Sequence, residues 1–155
     1  MTEPKPCCHD YFSVCDVLQR KAIKGVVSVE PTMTVRDAAA LMLSAGVGSL
    51  LVLEGPRLVG IITERDVVRV VRDADDAAMR LVHQVMSRDV FSCGEDVSVD
   101  EAAELMRVRR VRHMPVVDAN ANVLGVVSLG DINAHRVGQC EVVLDHLEHY
   151  VYRRA

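Results

Sequence analysis

Two parts of this 155-residue chain follow almost the same pattern. Residues Gly60–Asp66 read Gly-Ile-Ile-Thr-Glu-Arg-Asp, and Gly125–Asp131 read Gly-Val-Val-Ser-Leu-Gly-Asp. Upstream, Thr34–Met42 returns as Ser98–Met106 at nearly the same spacing. A pattern that recurs at constant spacing indicates a duplicated structural unit. Two such units can pack face to face, so that each contributes a hydroxyl and a carboxylate to a cleft.

Each copy predicts the same order of elements, β-α-β-β-α. In the first copy, Thr34 and Gly46 are typical caps of a helix with one apolar face. The other expected elements of that copy are strands at 26–29, 49–53 and 58–62 and a helix that begins after Thr63. Those of the second copy are strands at 90–93, 114–117 and 123–127 and helices that begin after Ser98 and Ser128.

We therefore predict a mixed α/β (α+β) fold of two packed repeats with pseudo-two-fold symmetry and extra helices at both ends. The expected segments are a flexible arm at 1–12, a first repeat with its leading helix at 13–72, a linking helix at 73–86, a second repeat at 87–136 and a C-terminal helix at 137–155. That last helix carries an apolar stripe at Cys140, Leu144, Leu147 and Val151. The stripe either docks on its own domain or forms a contact between subunits.

Composition excludes several classes of function. A formal net charge of −4 and an aromatic content of 3% disfavour a nucleic-acid binder, although arginines cluster at 107, 109, 110 and 112. No apolar run approaches the roughly 20 residues of a membrane span, and the N-terminus lacks the apolar segment of a signal peptide. Five cysteines without a disulfide-like layout fit a reducing compartment, so we expect a cytoplasmic protein.

Catalytic and metal-binding patterns are weak. The sequence contains no G-x-S-x-G, P-loop or H-E-x-x-H motif, so we predict that the protein is not an enzyme. Two groups of residues resemble metal ligands but lack the usual spacing or a second ligand pair, so we predict no metal site. These groups are Cys7, Cys8 and His9 with Cys15, and the helical pair His146 and His149.

The two repeats resemble a pair of CBS domains, also called a Bateman module, from about Val14 to the end of the chain. Each ends in the family's Gly-hydrophobic-hydrophobic-Ser/Thr-x-x-Asp motif. In addition, Arg112–Asp118 resembles its Arg-His-Leu-Pro-Val-Val-Asp stretch, and Thr63–Asp66 is similar to the Ser/Thr-Glu-Arg-Asp of small stand-alone bacterial members. The resemblance implies a regulatory module that binds AMP, ADP, ATP, NAD or S-adenosylmethionine between its repeats and requires no cofactor. It also implies a homodimer, whose protein partner is unknown.

The resemblance assigns a ribose to the Ser/Thr and Asp of each motif. A carboxylate can accept from both vicinal hydroxyls, and the hydroxyl residue lies one helical turn away. The predicted ribose ligands are Thr63 and Asp66 in the first repeat and Ser128 and Asp131 in the second. The predicted phosphate ligands are Arg65, Arg112 and His113. The adenine slot is predicted near Val29, Ile61 and Val126.

The Ser/Thr-x-x-Asp spacing is also close to a capping box, in which both side chains serve only the helix's own N–H groups. Under that alternative the chain is a structural or adaptor module that acts through dimerisation or a protein partner. The motifs also differ, since Glu64-Arg65 in the first corresponds to Leu129-Gly130 in the second. We therefore expect the two clefts to bind ligand with unequal affinity.

Overall fold

A computed structural model describes residues 12–21, 25–73 and 76–138 of the chain. Several sequence predictions lie outside these ranges. They are the arm at 1–11, the C-terminal apolar stripe and the candidate metal ligands Cys7, Cys8, His9, His146 and His149. Within the described ranges, the helices are too short or too polar to cross a bilayer.

The predicted α/β fold of two β-α-β-β-α repeats is confirmed. Helix α1 (Val14–Arg20) comes first. The first repeat comprises β1 (Ser28–Val29), α2 (Val35–Ala45), β2 (Ser49–Glu54), β3 (Arg57–Thr63) and α3 (Glu64–Asp73). A short helix, α4 (Val82–Val85), then leads into β4 (Cys93–Gly94), α5 (Val99–Arg109), β5 (His113–Val117) and β6 (Val123–Ser128). The last helix, α6, is described over residues 129–138.

Each repeat contains a three-stranded sheet with the same pairing. In the orders β1-β2-β3 and β4-β5-β6, the first pair of strands is parallel and the second antiparallel. Leu50 pairs with Ile62 in one sheet, and Met114 pairs with Val127 at the equivalent place in the other. All four side chains are fully buried. A shift of one residue in either register would turn them away from the core, so burial specifies the pairing.

Helices α2 and α5 begin where the sequence predicts, and α2 also ends at the predicted Gly46. Thr34 and Ser98 each accept a hydrogen bond from the N–H three residues later, as N-terminal caps do. At the other end, Gly46 and Arg110 have positive φ angles of 64° and 55°. Glycine adopts this left-handed conformation freely, whereas arginine does so at a cost.

The helix that precedes each repeat packs on the other repeat. Val14 and Val17 of α1 lie in the core of the second repeat with Met106. Conversely, Val82 of α4 lies in the core of the first repeat with Leu50. The leading helix of segment 13–72 therefore shares its core with the second repeat, and burial of apolar surface joins the two halves.

The linker differs from the helix that we expected at 73–86. Its described residues form a 3-10 turn (Ala77–Met79) and the single turn of α4. The backbone between them is paired with the first repeat, since Val35 donates to Arg80 O at 2.8 Å and Val82 to Met33 O at 2.8 Å. These bonds to another segment replace the i to i−4 bonds of a continuous helix.

The first strand of each sheet is shorter than predicted, and the expected arm ends earlier. Both β1 and β4 contain only two residues. Phe12, the last residue of the segment that we expected to be flexible, packs against the second repeat. Its carbonyl accepts a hydrogen bond from Val99 at 3.0 Å, and its ring meets that of His135 edge-on at 4.9 Å. These tertiary contacts fix the position of Phe12, and local sequence patterns do not predict them.

Candidate ligand-binding site

A cavity of about 700 Å³ lies between the two repeats. Its walls come from α1 and the chain before β1, from the start of β2, and from β6 with the turn that follows it. Small-molecule sites in proteins occupy about 300–1,000 Å³, so the volume suits a ligand of nucleotide size. Because both repeats supply walls, a ligand here would touch both.

The cavity brings together several of the predicted site residues. Ser128 and Asp131 of the second motif line it, and so do Val126 on β6 and His113 at the start of β5. The sequence placed these four in different predicted roles, as ribose, adenine and phosphate contacts. The antiparallel pairing of His113 with Ser128 makes them neighbours.

Asp131 forms the predicted capping box but uses only one of its oxygens. Its Oδ2 accepts hydrogen bonds from Ser128 N and Ser128 Oγ, both at 2.7 Å, and from Lys21 Nζ at 2.9 Å. Among the described residues, none of the hydrogen bonds to Asp131 ends on Oδ1. Burial opposes ionisation of this carboxyl, but the hydrogen bonds from Ser128 and Lys21 outweigh it and lower its pKa. Capping and ligand binding are therefore compatible functions of one carboxylate.

Asp66, the equivalent residue of the first motif, has both oxygens occupied. Oδ2 accepts from Thr63 N at 2.9 Å and from Thr63 Oγ1 at 2.7 Å. Oδ1 accepts from Arg69 Nη1 at 3.0 Å. Asp66 is only 6% exposed, and neither it nor Thr63 lines the cavity described above. Arg69 would therefore compete with a ligand for the second oxygen of this carboxylate.

The other predicted residues also lie away from this cavity. The side chains of Arg65 and Arg112 are exposed and are not part of its wall. Val29 is buried in the first core, and Ile61 is buried with its backbone paired to Ser87. Their contacts with a ligand remain predictions.

His113 lies close to the first repeat. A Cβ atom on Gly48 would stand 3.4 Å from His113 Nε2 and 3.3 Å from Glu64 Oε2, so only glycine leaves this space open. Burial, and next the charge of Arg112, lower the pKa of His113, while Glu64 and Asp131 oppose the shift. The lowered pKa favours the neutral imidazole, which offers a ligand a hydrogen bond instead of a positive charge.

Lys21 is a cavity residue that the sequence did not reveal. It is the C-terminal cap of α1, and its Nζ donates to Val126 O and to Asp131 Oδ2, both at 2.9 Å. It lies 110 positions before Asp131 in the chain. No short sequence motif predicts the contact between Lys21 and Asp131, because this contact depends on the packing of α1 against the opposite repeat.

Comparison with known proteins identifies the family. The CBS domain family matches residues 6–73 and 82–138 of this chain. The protein belongs to the CBS domain family. The chain is also 36% identical over 122 residues to an uncharacterized protein of Methanopyrus kandleri, a match that covers 77% of this chain and 60% of that protein.

Solved CBS structures share the fold over about four fifths of this chain. A CBS-domain containing protein from Agrobacterium tumefaciens is 31% identical with a TM-score of 0.76, and the match covers 81% of this chain and 99% of that one. A CBS domain pair crystallised with 5′-methylthioadenosine and S-adenosyl-L-methionine is 25% identical with a TM-score of 0.73, over 83% and 98% of the two chains. The predicted tandem CBS pair is thus confirmed, and one CBS pair similar to this chain was crystallised with two adenosyl compounds.

Proposed function

We propose that this CBS pair is a regulatory module that binds an adenosine-containing ligand in the cavity between its repeats. The observation that carries the proposal is the geometry of Asp131, whose Oδ2 caps α6 while Oδ1 receives none of the hydrogen bonds among the described residues. A carboxylate oxygen beside an open cavity can accept from the vicinal hydroxyls of a ribose. The related CBS pair that holds two adenosyl compounds supports this choice of ligand.

The remaining walls suit the rest of such a ligand. Val27 and Val47 of the first repeat and Val126 of the second supply apolar surface for an adenine ring. Of the predicted phosphate ligands, His113 lines the cavity, and we propose it as a hydrogen-bond donor to the group on the sugar's 5′ carbon. AMP, ADP, ATP, NAD and S-adenosylmethionine all contain the adenosine on which this arrangement depends.

Regulation would follow from the position of the cavity. A ligand that contacts both repeats favours the arrangement to which it binds more tightly, and it shifts the population by that difference in affinity. We propose that a partner protein responds to this shift and that the module itself performs no catalysis. We further propose a cytoplasmic location, from the cysteine layout.

We also propose that the protein forms a homodimer. Helices α2 and α3 pack side by side and expose Leu43, Val68 and Val71 to 83%, 69% and 64%. A cluster of exposed apolar side chains of this kind is typical of an interaction surface. If the cavity binds no ligand, this surface is the feature that would support the adaptor function. Light scattering should give the mass of a dimer for the wild type and that of a monomer for Val68→Glu with Val71→Glu.

The decisive experiment compares Asp131→Asn with Asp66→Asn. Each variant weakens one capping box, so both lose stability, but only Asp131 lines the cavity. Each protein is melted with and without AMP, ATP, NAD and S-adenosylmethionine. A ligand at 100 times its Kd stabilises the native state by about 2.7 kcal/mol. We expect at least one compound to raise the Tm of the wild type and of Asp66→Asn but not that of Asp131→Asn.

Two results would contradict the proposal. Wild-type protein whose Tm responds to none of the four compounds would favour the adaptor function. A ligand-induced rise that survives in Asp131→Asn and disappears in Asp66→Asn would move the site to the first repeat.

A further inference from the structure

Lys21 is the cationic side chain fixed beside the proposed ribose site. We infer that Lys21 determines which 5′ substituent the ligand carries, and that it selects an adenosyl compound with a single anionic group, such as a nucleoside monophosphate. The inference rests on the proposed function and adds the ligand's charge class to it. Three observations support it: the fixed position of the ammonium group, its spare donor and the charges around it.

The ammonium group of Lys21 is held in place from two sides. It donates to the backbone oxygen of Val126 on β6 and to Oδ2 of Asp131, and both distances are 2.9 Å. Val14 and Val17 anchor α1, the helix that ends at Lys21, in the core of the second repeat. A lysine held by its helix and by two acceptors has already lost most of its rotamer freedom, so it binds an anion at a smaller entropic cost.

One donor of the ammonium group is available to a ligand. A lysine carries three N–H donors, and the described residues accept from two of them. The Lys21 side chain lines the cavity and remains 24% exposed. Lys21 donates to Oδ2 of Asp131, and the proposed ribose binds Oδ1 of the same carboxylate. The ribose would therefore lie beside Lys21, and we place the acidic group on its 5′ carbon at the third N–H of the ammonium group.

The surrounding charges limit how much negative charge this place accepts. The positive charge of Lys21 is already paired with Asp131, and Glu95 also lines the cavity. Each further phosphate therefore adds repulsion from Glu95 without adding a new contact to Lys21. A monophosphate gains the charge-assisted hydrogen bond, and the described residues that line the cavity offer a triphosphate no second lysine or arginine.

The first repeat has a methionine where the second has Lys21. There, the partner of Asp66 is Arg69, one turn along the same helix, and Met86 occupies the position after α4 that Lys21 occupies after α1. The substitution Lys21→Met therefore gives the second repeat the residue type that the first repeat already has at that place, which makes it a conservative test of packing.

The test is isothermal titration of wild type, Lys21→Met and Lys21→Arg with adenosine, AMP and ATP. Arg36→Gln, which removes an exposed cation from α2, is the control for net charge. We expect wild type to bind AMP about tenfold more tightly than adenosine, and ATP no more tightly than AMP, because a charge-assisted hydrogen bond is about twice as strong as a neutral one. The preference for AMP should vanish in Lys21→Met and persist in Lys21→Arg and Arg36→Gln.

Several outcomes would overturn the inference. One is an unchanged preference for AMP in Lys21→Met, and another is an equal loss for adenosine and AMP, which would mean that Lys21 only holds Asp131 in place. A third is ATP bound more than tenfold tighter than AMP. Because adenosine carries no anionic group, its binding tests the proposed function alone. No binding of any of the three compounds would reject the inference about Lys21, and the melts with NAD and S-adenosylmethionine would then decide the proposed function.

A measurement on wild type covers the case in which Lys21→Met does not fold. Raising the salt concentration from about 0.05 M to about 0.5 M screens the ammonium charge. The Kd for AMP should then approach that for adenosine, whose own Kd stays constant. A salt-independent preference for AMP would reject the role of Lys21.

Discussion

The two repeats contain the same motif, yet their carboxylates differ in what they can still bind. One oxygen of Asp66 accepts a hydrogen bond from Thr63 and the other accepts one from Arg69, and all three residues belong to α3 or its cap. Asp131 accepts the hydrogen bonds of Ser128 and Lys21 on a single oxygen, and its side chain lines a cavity. Duplication has therefore preserved the local cap, while residues from another part of the chain distinguish the two sites.

The edges of the last strands differ in the same way. In the first repeat, Ser87 pairs with Ile61 through two backbone hydrogen bonds of 3.0 and 2.9 Å. In the second, the oxygen of Val126 at the equivalent position accepts from the side chain of Lys21. Backbone atoms of Ser87 therefore pair with the first edge, and a side-chain ammonium group of Lys21 donates to the second.

The largest expected difference concerns two cysteines. Cys15 lines the cavity, whereas Cys93 is buried in the second core, and that burial raises its pKa from an ordinary 9.0 to about 11. At pH 8 this lowers the thiolate fraction about a hundredfold relative to a thiol of pKa 9.0, and burial also blocks access, so Cys93 should react with iodoacetamide far more slowly than the cavity-lining Cys15. Peptide mass spectrometry over a time course would check this. Equal rates would show that the second repeat opens in solution, and a cavity ligand should protect Cys15.

Two equivalent glycines should differ next. A Cβ on Gly60 would lie 2.5 Å from Met86 Sδ and 3.1 Å from the backbone oxygen of Ser87, whereas the described atoms nearest to a Cβ on Gly125 belong to the Leu18 side chain, the closest at 3.0 Å. We expect Gly60→Ala to destabilise the protein by about 1–3 kcal/mol and Gly125→Ala by less than about 1 kcal/mol. Urea denaturation measures both, and equal losses would mean that both edges are equally tight.

The lowered pKa of Asp131 predicts a pH dependence. Because the folded value lies below the ordinary 3.8, its stabilising effect is present above about pH 4 and is lost as the pH falls through the folded pKa. Wild type should therefore exceed Asp131→Asn by about 1 kcal/mol at pH 6 without ligand, and the gap should close towards pH 3. In a Lys21→Met background the gap should be smaller at pH 6. A gap that does not change with pH would contradict the ion pair.

The smallest effects concern the left-handed residues that end α2 and α5. Gly46 and Arg110 share this conformation, but only glycine adopts it without strain. Arg110→Gly should therefore stabilise the protein by about 0.4–1 kcal/mol, while Gly46→Ala should destabilise it by a similar amount. Thermal melts of both variants provide the comparison, and a loss of stability in Arg110→Gly would point to a tertiary role for that side chain.

Much of the fold could be read from local patterns. Thr34, Ser98 and Gly46 cap helices as predicted, because capping involves residues three or four positions apart. The continuous helix predicted for the linker is wrong. The backbone groups of Arg80 and Val82 form hydrogen bonds with the first repeat instead of with residues four positions away in the linker. At the site, Ser128 and Asp131 line the cavity and their contact with a ribose stays a prediction, whereas Ile61 and Val29 are buried in the first repeat.

The sequence by itself determined the repeats, their order of elements and the two capped carboxylates, because each of these depends on short spacings along the chain. Only the tertiary structure decided that Asp131 lines the cavity between the repeats and that Lys21 joins it there. The physical reason is the burial of Val14 and Val17 in the opposite repeat, which carries Lys21 across to Asp131. Apolar burial can bring together residues at any separation along the chain, so the contact between Lys21 and Asp131 leaves no local sequence pattern.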